Sequence, residues 1–117
     1  MGYCSKIFIV ARSKRPIFDT ESVIASFDLC DMGYQFKDVF TKEIDYKLFA
    51  DDGNTVFDMD RYGDHLKSTD FHTVIDWLTE QKKNNDYRRL KPLLWLLQGF
   101  DLSKWTEYDM QIVHYGY

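Results

Sequence analysis

Carboxylates and imidazoles are the groups in this chain most able to do chemistry. Asp45, Asp58, Asp60 and, a little further on, Asp64 and His65 gather around the run D-M-D-R-Y-G-D-H. Carboxylates facing each other repel, and a divalent cation relieves that repulsion. With Asp58, Asp60, His65 and His72 as ligands, the chain would be a small metal-dependent hydrolase. The run nevertheless misses the acid and glycine spacing of an EF-hand loop. Lys47 and Arg61 can instead share the carboxylates on a solvated strand face. His72 and Asp76 are four apart, so on a helix they share a face and the carboxylate can orient the ring. A three-histidine site with His65 and His114 requires those positions to converge, which spacing does not demand. There is no G-x-S-x-G elbow, no cysteine beside an activating neighbour and no glycine-rich phosphate loop. The residues lean away from an enzyme and call for no cofactor.

Two other groups could bind. Arg12, Lys14 and Arg15 form a basic loop, while Lys82, Lys83, Arg88, Arg89 and Lys91 straddle an interhelical turn. Brought together, Arg12, Lys14, Arg15, Arg88 and Arg89 would take a phosphate, a nucleotide or an acidic surface. Trp77 and Trp95 fall off the apolar stripes of their helices, and Trp105 and Tyr108 sit in the polar link that follows. Tryptophan and tyrosine anchors dominate interface energetics. Together with the acidic residues Asp45, Asp58, Asp60 and Asp64, these four aromatics make a candidate partner-binding surface.

Composition narrows the classes. At 117 residues, 44% hydrophobic and 29% charged, the chain reads as one folded domain over residues 1–117 rather than a disordered segment. A net charge of −4 argues against a general grip on nucleic acid, which needs clustered cations to displace counterions. No apolar run approaches the ~18 residues that suggest a membrane span. The apolar stretch near the N-terminus is too short for a secretory signal, and Lys6 stands where myristoylation wants Ser or Thr. Two cysteines, Cys4 and Cys30, without a C-x-x-C, read as buried free thiols in a reducing compartment, hence a cytoplasmic protein.

The elements that must position these residues follow from periodicity. Lys6–Arg12 is a continuous apolar run, the mark of a central strand. Residues 23–30 fit a strand with Val23, Ala25, Phe27 and Leu29 on one face, or a helix grouping Val23, Phe27 and Cys30; the strand is favoured. Phe36, Val39 and Phe40 suggest a short helical turn. Asp52-Gly53 predicts a two-residue hairpin turn that sets Leu48 opposite Phe57, Tyr46 opposite Met59, Lys47 opposite Asp58 and Asp45 opposite Asp60. Asp70 caps a helix running to about Lys83, with Phe71, Val74, Ile75 and Leu78 as its stripe.

Tyr87–Phe100 is apolar nearly all the way round. Leu90, Leu93, Leu94 and Leu97 hold one helical face, and Trp95 and Leu96 lie off it. A second surface there needs covering, by the domain, by another protein or by a second copy. Pro92 places a kink or a start, and Gly99 a stop. The end alternates Met110, Ile112, His114 against Gln111, Val113, Tyr115, a last strand. The expected order is ββββααβ, an α+β domain with a mostly antiparallel sheet of about five strands and a helical pair on one face.

Small size, acidity, aromatic density and the lack of a catalytic motif resemble accessory proteins of phages and mobile elements, inhibitors of host defence among them. That likeness is one of composition and assigns no residue a role. The leading expectation is a non-enzymatic module that occludes another protein, such as a host defence or nucleic-acid-handling enzyme. An acidic hairpin face and Trp/Tyr anchors would make the contact. A small-ligand or nucleotide binder using the basic loop and helix turn, and the metal-dependent hydrolase, are the alternatives.

Overall fold

A strand that is apolar on both sides must be covered on both sides, and the layering of the molecule follows from that. The computed structural model describes residues 3–15, 17–29, 34–84 and 90–117. The run expected at Lys6–Arg12 forms β1 (Ser5–Ser13). Its Ile7 and Ile9 enter one core and its Phe8 and Val10 another.

The remaining strands are β2 (Thr20–Glu21), β3 (Val23–Leu29), β4 (Lys42–Glu43), β5 (Lys47–Phe49), β6 (Val56–Phe57), β7 (Lys67–Thr69) and β8 (Tyr108–Gly116). The helices are α1 (Phe71–Asn84) and α2 (Leu90–Gln98), with 3₁₀ turns over Tyr34–Val39 and Leu102–Lys104. An antiparallel five-stranded sheet has the order β3-β1-β8-β7-β4, and a second, three-stranded sheet the order β2-β5-β6. The main sheet with its helices therefore reads ββββααβ along the chain, an α+β fold. The hairpin is not one of its strands.

The first core joins Ile7, Ile9, Leu29 and Ile112 of the sheet to Phe36, Phe40, Phe71, Val74, Leu78 and the four α2 leucines. The second joins Phe8, Val10 and Val113 to Ile44, Tyr46, Leu48 and Leu66. Residues 23–29 are a strand, with the expected alternation. A register shift between Ile9 and Val10 moves Val23 from the helical core, which holds Ala25 and Phe27, to the opposite one.

Both helices start and stop for local reasons. The Asp70 carboxylate accepts the Thr73 N–H at 2.7 Å, which holds its pKa below the usual carboxylate value. Pro92 falls in the first turn of α2, where a missing N–H breaks no helical bond. The Gly99 N–H closes the helix on the Trp95 carbonyl at 2.9 Å. The sequence also predicts a helix break at Asn84-Asn85 and a cap for the next helix at Asp86; α1 does end at Asn84, and Asn85 and Asp86 lie outside the described residues.

The hairpin keeps its predicted register at Leu48↔Phe57 but not its turn. Only Gly53 takes a positive φ, 74°; Asp52 does not, and its carboxylate instead accepts the N–H groups of Asn54 and Thr55 at 2.8 Å each. The pairing also ends early. Beyond Phe57 the chain folds into a second tight turn, where the Asp60 N–H donates to the Asp64 carbonyl and the Leu66 N–H to the Asp58 carbonyl. Gly63 supplies the positive φ of that turn, 84°. Met59 consequently bridges His65 rather than Tyr46, and is exposed. Lys47 pairs with Thr20 of β2, in parallel, and Asp45 does not face Asp60.

The free-thiol reading is corrected too. Cys4 is disulfide-bonded, and Cys30, the chain's other cysteine, lies outside the described residues. The thiol argument for a reducing compartment therefore does not hold. Among the described residues, no helix is long and apolar enough to cross a membrane.

Candidate functional site

Among the described residues, two places outside the cores bring together candidate functional side chains, apart from the cavity around Arg12. The first is an open cleft of about 590 Å³ where the 3₁₀ turn, β4, the Asp60–Asp64 turn, β7 and the end of β8 meet. Lys37 and Asp38 come from the turn, Phe40 from the residue just after it, Glu43 from β4 and Lys67 from β7. Asp60, Asp64 and His65 come from the second tight turn, and His114 and Tyr3 close the floor.

His114 occupies the helix-facing side of β8, as the alternation with Ile112 requires, and is 7% exposed. Its Nε2 lies 2.8 Å from the Ser5 hydroxyl, and its ring packs at 5.2 Å from Phe40. Burial pushes its pKa down to about 4, opposed by the Asp60 charge and assisted by Lys37. The ring is therefore neutral near pH 7. Tyr3 lies between Tyr62, at 5.5 Å, and His114, at 6.1 Å, in a three-ring stack. His65 donates its Nε2–H to the Ile44 carbonyl at 2.9 Å, since a carbonyl can only accept. Asp60 uses one carboxylate oxygen to accept the N–H groups of Tyr62 and Asp64, at 2.9 and 3.0 Å.

The second place is the outer side of α2. Leu90, Leu93, Leu94 and Leu97 are buried as spaced. Trp95 is 61% exposed and Leu96 56% exposed, so the domain leaves the second face uncovered. The other predicted anchors divide. Trp77 packs into the helical core against Phe36 at 5.0 Å. Trp105 is half-buried in a ladder running from Phe71 through Phe100 to Tyr108, with centroids 5.1, 5.5 and 5.7 Å apart. Only the outer rung, Tyr108, is exposed.

The acidic hairpin face expected from Asp45, Asp58, Asp60 and Asp64 does not form as one surface. Asp60 and Asp64 go to the cleft, whereas Asp45 pairs with Arg12. Asp58 is half-buried and lines neither the cleft nor the cavity around Arg12. Of the metal set, Asp60 and His65 share the cleft, but His72 stands on the exposed side of α1. Among the described residues, no three His, Cys, Asp or Glu are grouped to hold a metal ion.

The anion alternative fares similarly. Arg12 stacks on Tyr46 at 4.4 Å and lies between Glu21, 3.6 Å away, and Asp45. Lys14 shares its cavity, together with Lys42, but Glu43, Asp45 and Asp109 match those three cations. Arg15 is exposed on the loop nearby, and Arg88 and Arg89 lie outside the described residues. Residue types and spacing gave no signal for Tyr3, Lys37, Glu43 or Lys67, because the cleft is assembled from distant turns. His114 was legible as an inward position, but not its neighbours.

Comparison with protein-family models, curated proteins and solved structures gives no match.

Proposed function

We propose that this protein is a non-enzymatic binding module that docks another protein on the outer face of α2 and acts by occlusion, as inhibitors of host enzymes do. The observation that carries this reading is the exposure of Trp95 and Leu96 on a helix whose other face is already filled by four leucines. Leaving a tryptophan and a leucine side by side in water forgoes roughly 2 kcal/mol each of burial. Tryptophan is also the side chain most enriched among interface residues that dominate affinity.

The two anchors cover only part of the ~800 Å² per partner that a stable interface buries. They are therefore the centre of a contact whose rim is polar. Lys91 and Gln98 are exposed on the same short helix and suit that role. The histidines favour this reading over catalysis: His114 is held in the core against Ser5, and His65 is tied to a backbone carbonyl.

The test is site-specific photo-crosslinking in cell lysate, with the crosslinker at position 96 and, as control, at position 72 on α1. The expected result is one protein captured from position 96 but not from 72, and lost in Trp95→Ala. Equal capture at both positions, capture indifferent to Trp95, or no capture overturns the reading. Capture of a second copy alone would make the surface a homo-oligomer contact and overturn the occlusion of another protein.

A further inference from the structure

The main sheet ends on β3, and the backbone there is open. Cys4 and Tyr117 exchange both of their backbone hydrogen bonds, so along the same ladder Lys6, Phe8 and Val10 turn their N–H and C=O groups to β8. Ile7 and Ile9 turn theirs to β3, where Phe27 and Ala25 face them. Ser26, opposite Phe8, therefore directs its N–H and C=O away from the sheet. Neither group has a partner among the described residues. Such an edge is a template for another strand.

A cavity of about 250 Å³ lies beside the same residue, between β3 and the β5–β6 hairpin. Phe8, Phe57 and Tyr115 line it, three rings 5.8–6.0 Å apart and edge-on to one another. The row Val113, Phe8, Ser26 across the sheet ends in a side chain too small to cover those rings. A residue hydrogen-bonded opposite Ser26 would point its own side chain to the same face, towards them.

Charge narrows the choice of strand. Lys6 lines the cavity but already pairs with Asp28 at 3.6 Å, which leaves Asp51 exposed there without an ion pair among the described residues. A cation on the incoming strand complements it. A second copy of β3 fits poorly. Laid antiparallel about Ser26, it sets serine against serine, leaves the rings uncovered and brings another Asp28 with no cation.

We propose that the β3 edge takes an extended segment of another protein as an added strand. That segment carries a large apolar side chain opposite Ser26 and a lysine or arginine two residues away on the same face. Main-chain hydrogen bonds hold it, and the cavity selects its side chain. The contact is separate from the α2 face and does not depend on it.

The experiment titrates the intact protein with the end-blocked peptide TKTFTKT, whose phenylalanine and lysines share one face when extended, and follows it by NMR. The Ser26 amide and the Phe8 and Tyr115 rings should shift, and the Ser26 amide should gain protection from hydrogen exchange. TKTSTKT should bind about tenfold or more weakly. TETFTET should lose about two- to fivefold. TKTFTKT methylated on the phenylalanine nitrogen, which cannot donate to the Ser26 carbonyl, should lose about three- to tenfold. Asp51→Lys should weaken TKTFTKT and strengthen TETFTET, while Trp95→Ala should leave both unchanged. The proposal fails if millimolar TKTFTKT does not move Ser26, or if any altered peptide binds the unaltered protein as tightly. Protection of Ser26 in the protein alone, with a dimer in sedimentation, assigns the edge to a second copy and overturns it.

Discussion

The Nε2 of His114 lies 2.8 Å from the hydroxyl oxygen of Ser5, so a buried polar bond ties β8 to β1 beneath the cleft. The ring is kept neutral by burial, with a pKa pushed down to about 4. In the unfolded chain the same ring titrates near 6.5. Between those values the unfolded state binds more protons, so stability falls as the pH drops through this window.

A shift of this size corresponds to roughly 3 kcal/mol. Urea unfolding at stepped pH should show His114's contribution fully present above about pH 6.5, falling towards pH 4 and levelling below. His114→Gln should flatten that part of the profile. A wild-type curve flat from pH 7 to pH 4 would contradict the assignment.

Gly116 is where the stack is tightest. A Cβ there would come within 2.3 Å of the Tyr3 hydroxyl oxygen and 2.9 Å of an Asp60 carboxylate oxygen. Gly116→Ala should push Tyr3 out from between Tyr62 and His114, at a cost of about 1–3 kcal/mol. Loss of ring-current shifts on Tyr3 and His114, with β8 amides still protected, is the expected signature. Unchanged aromatic shifts would show that the N-terminal residues do not pack as described.

Arg12 is a half-buried cation whose Nε makes no hydrogen bond among the described residues while Glu21 lies 3.6 Å away. Burial raises the Glu21 pKa and the Arg12 charge opposes that rise. Arg12→Met leaves this carboxylate without its counter-charge and should destabilise the fold by about 1–3 kcal/mol. Adding Glu21→Gln should restore much of the loss, because the one charge then left without Arg12, Asp45, is exposed to water. Chemical denaturation of the single and double variants measures both. An equally destabilised double variant would place the loss in the Tyr46 stack instead.

Cys4 stands between Tyr3, which lines the cleft, and Ser5, which bonds His114, and its backbone exchanges hydrogen bonds with Tyr117 at 2.7 and 2.9 Å; its sulfur is in a disulfide. Thiol titration of the native protein should find no free thiol. Reduction should lower stability by about 2–4 kcal/mol, seen in melts with and without reductant. Two reactive thiols without reductant would refute the bond.

The elements whose signal lies in one segment could be read in advance. The leucine spacing of α2, the Asp70 cap, the apolar run of β1 and the alternation in β8 each depend on near neighbours. Asp52-Gly53 marked the hairpin because Gly53 does take a positive φ, and Leu48↔Phe57 followed. What could not be read was where the hairpin goes. Its pairing with β2, from which β3, a 3₁₀ turn and β4 separate it along the chain, and its packing on the far face of β1 are choices made by the whole chain. The acidic surface failed for the same reason: one unforeseen turn at Asp60–Asp64 sent its members to different places. Trp77 and Trp95 look alike in sequence, and only packing against Phe36 separates the buried ring from the exposed one.

Trp95 separates a structural role from a binding one most directly. Leu94 is 2% exposed beside it, and Leu94→Ala should cost about 2–5 kcal/mol of folding stability. Trp95→Ala should cost less than about 0.5 kcal/mol. Calorimetry of the captured partner against wild type and Trp95→Ala, both shown to melt alike, is the decisive measurement. The account predicts a loss of about 30-fold or more in affinity, as for a central interface anchor. Equal affinities would contradict it.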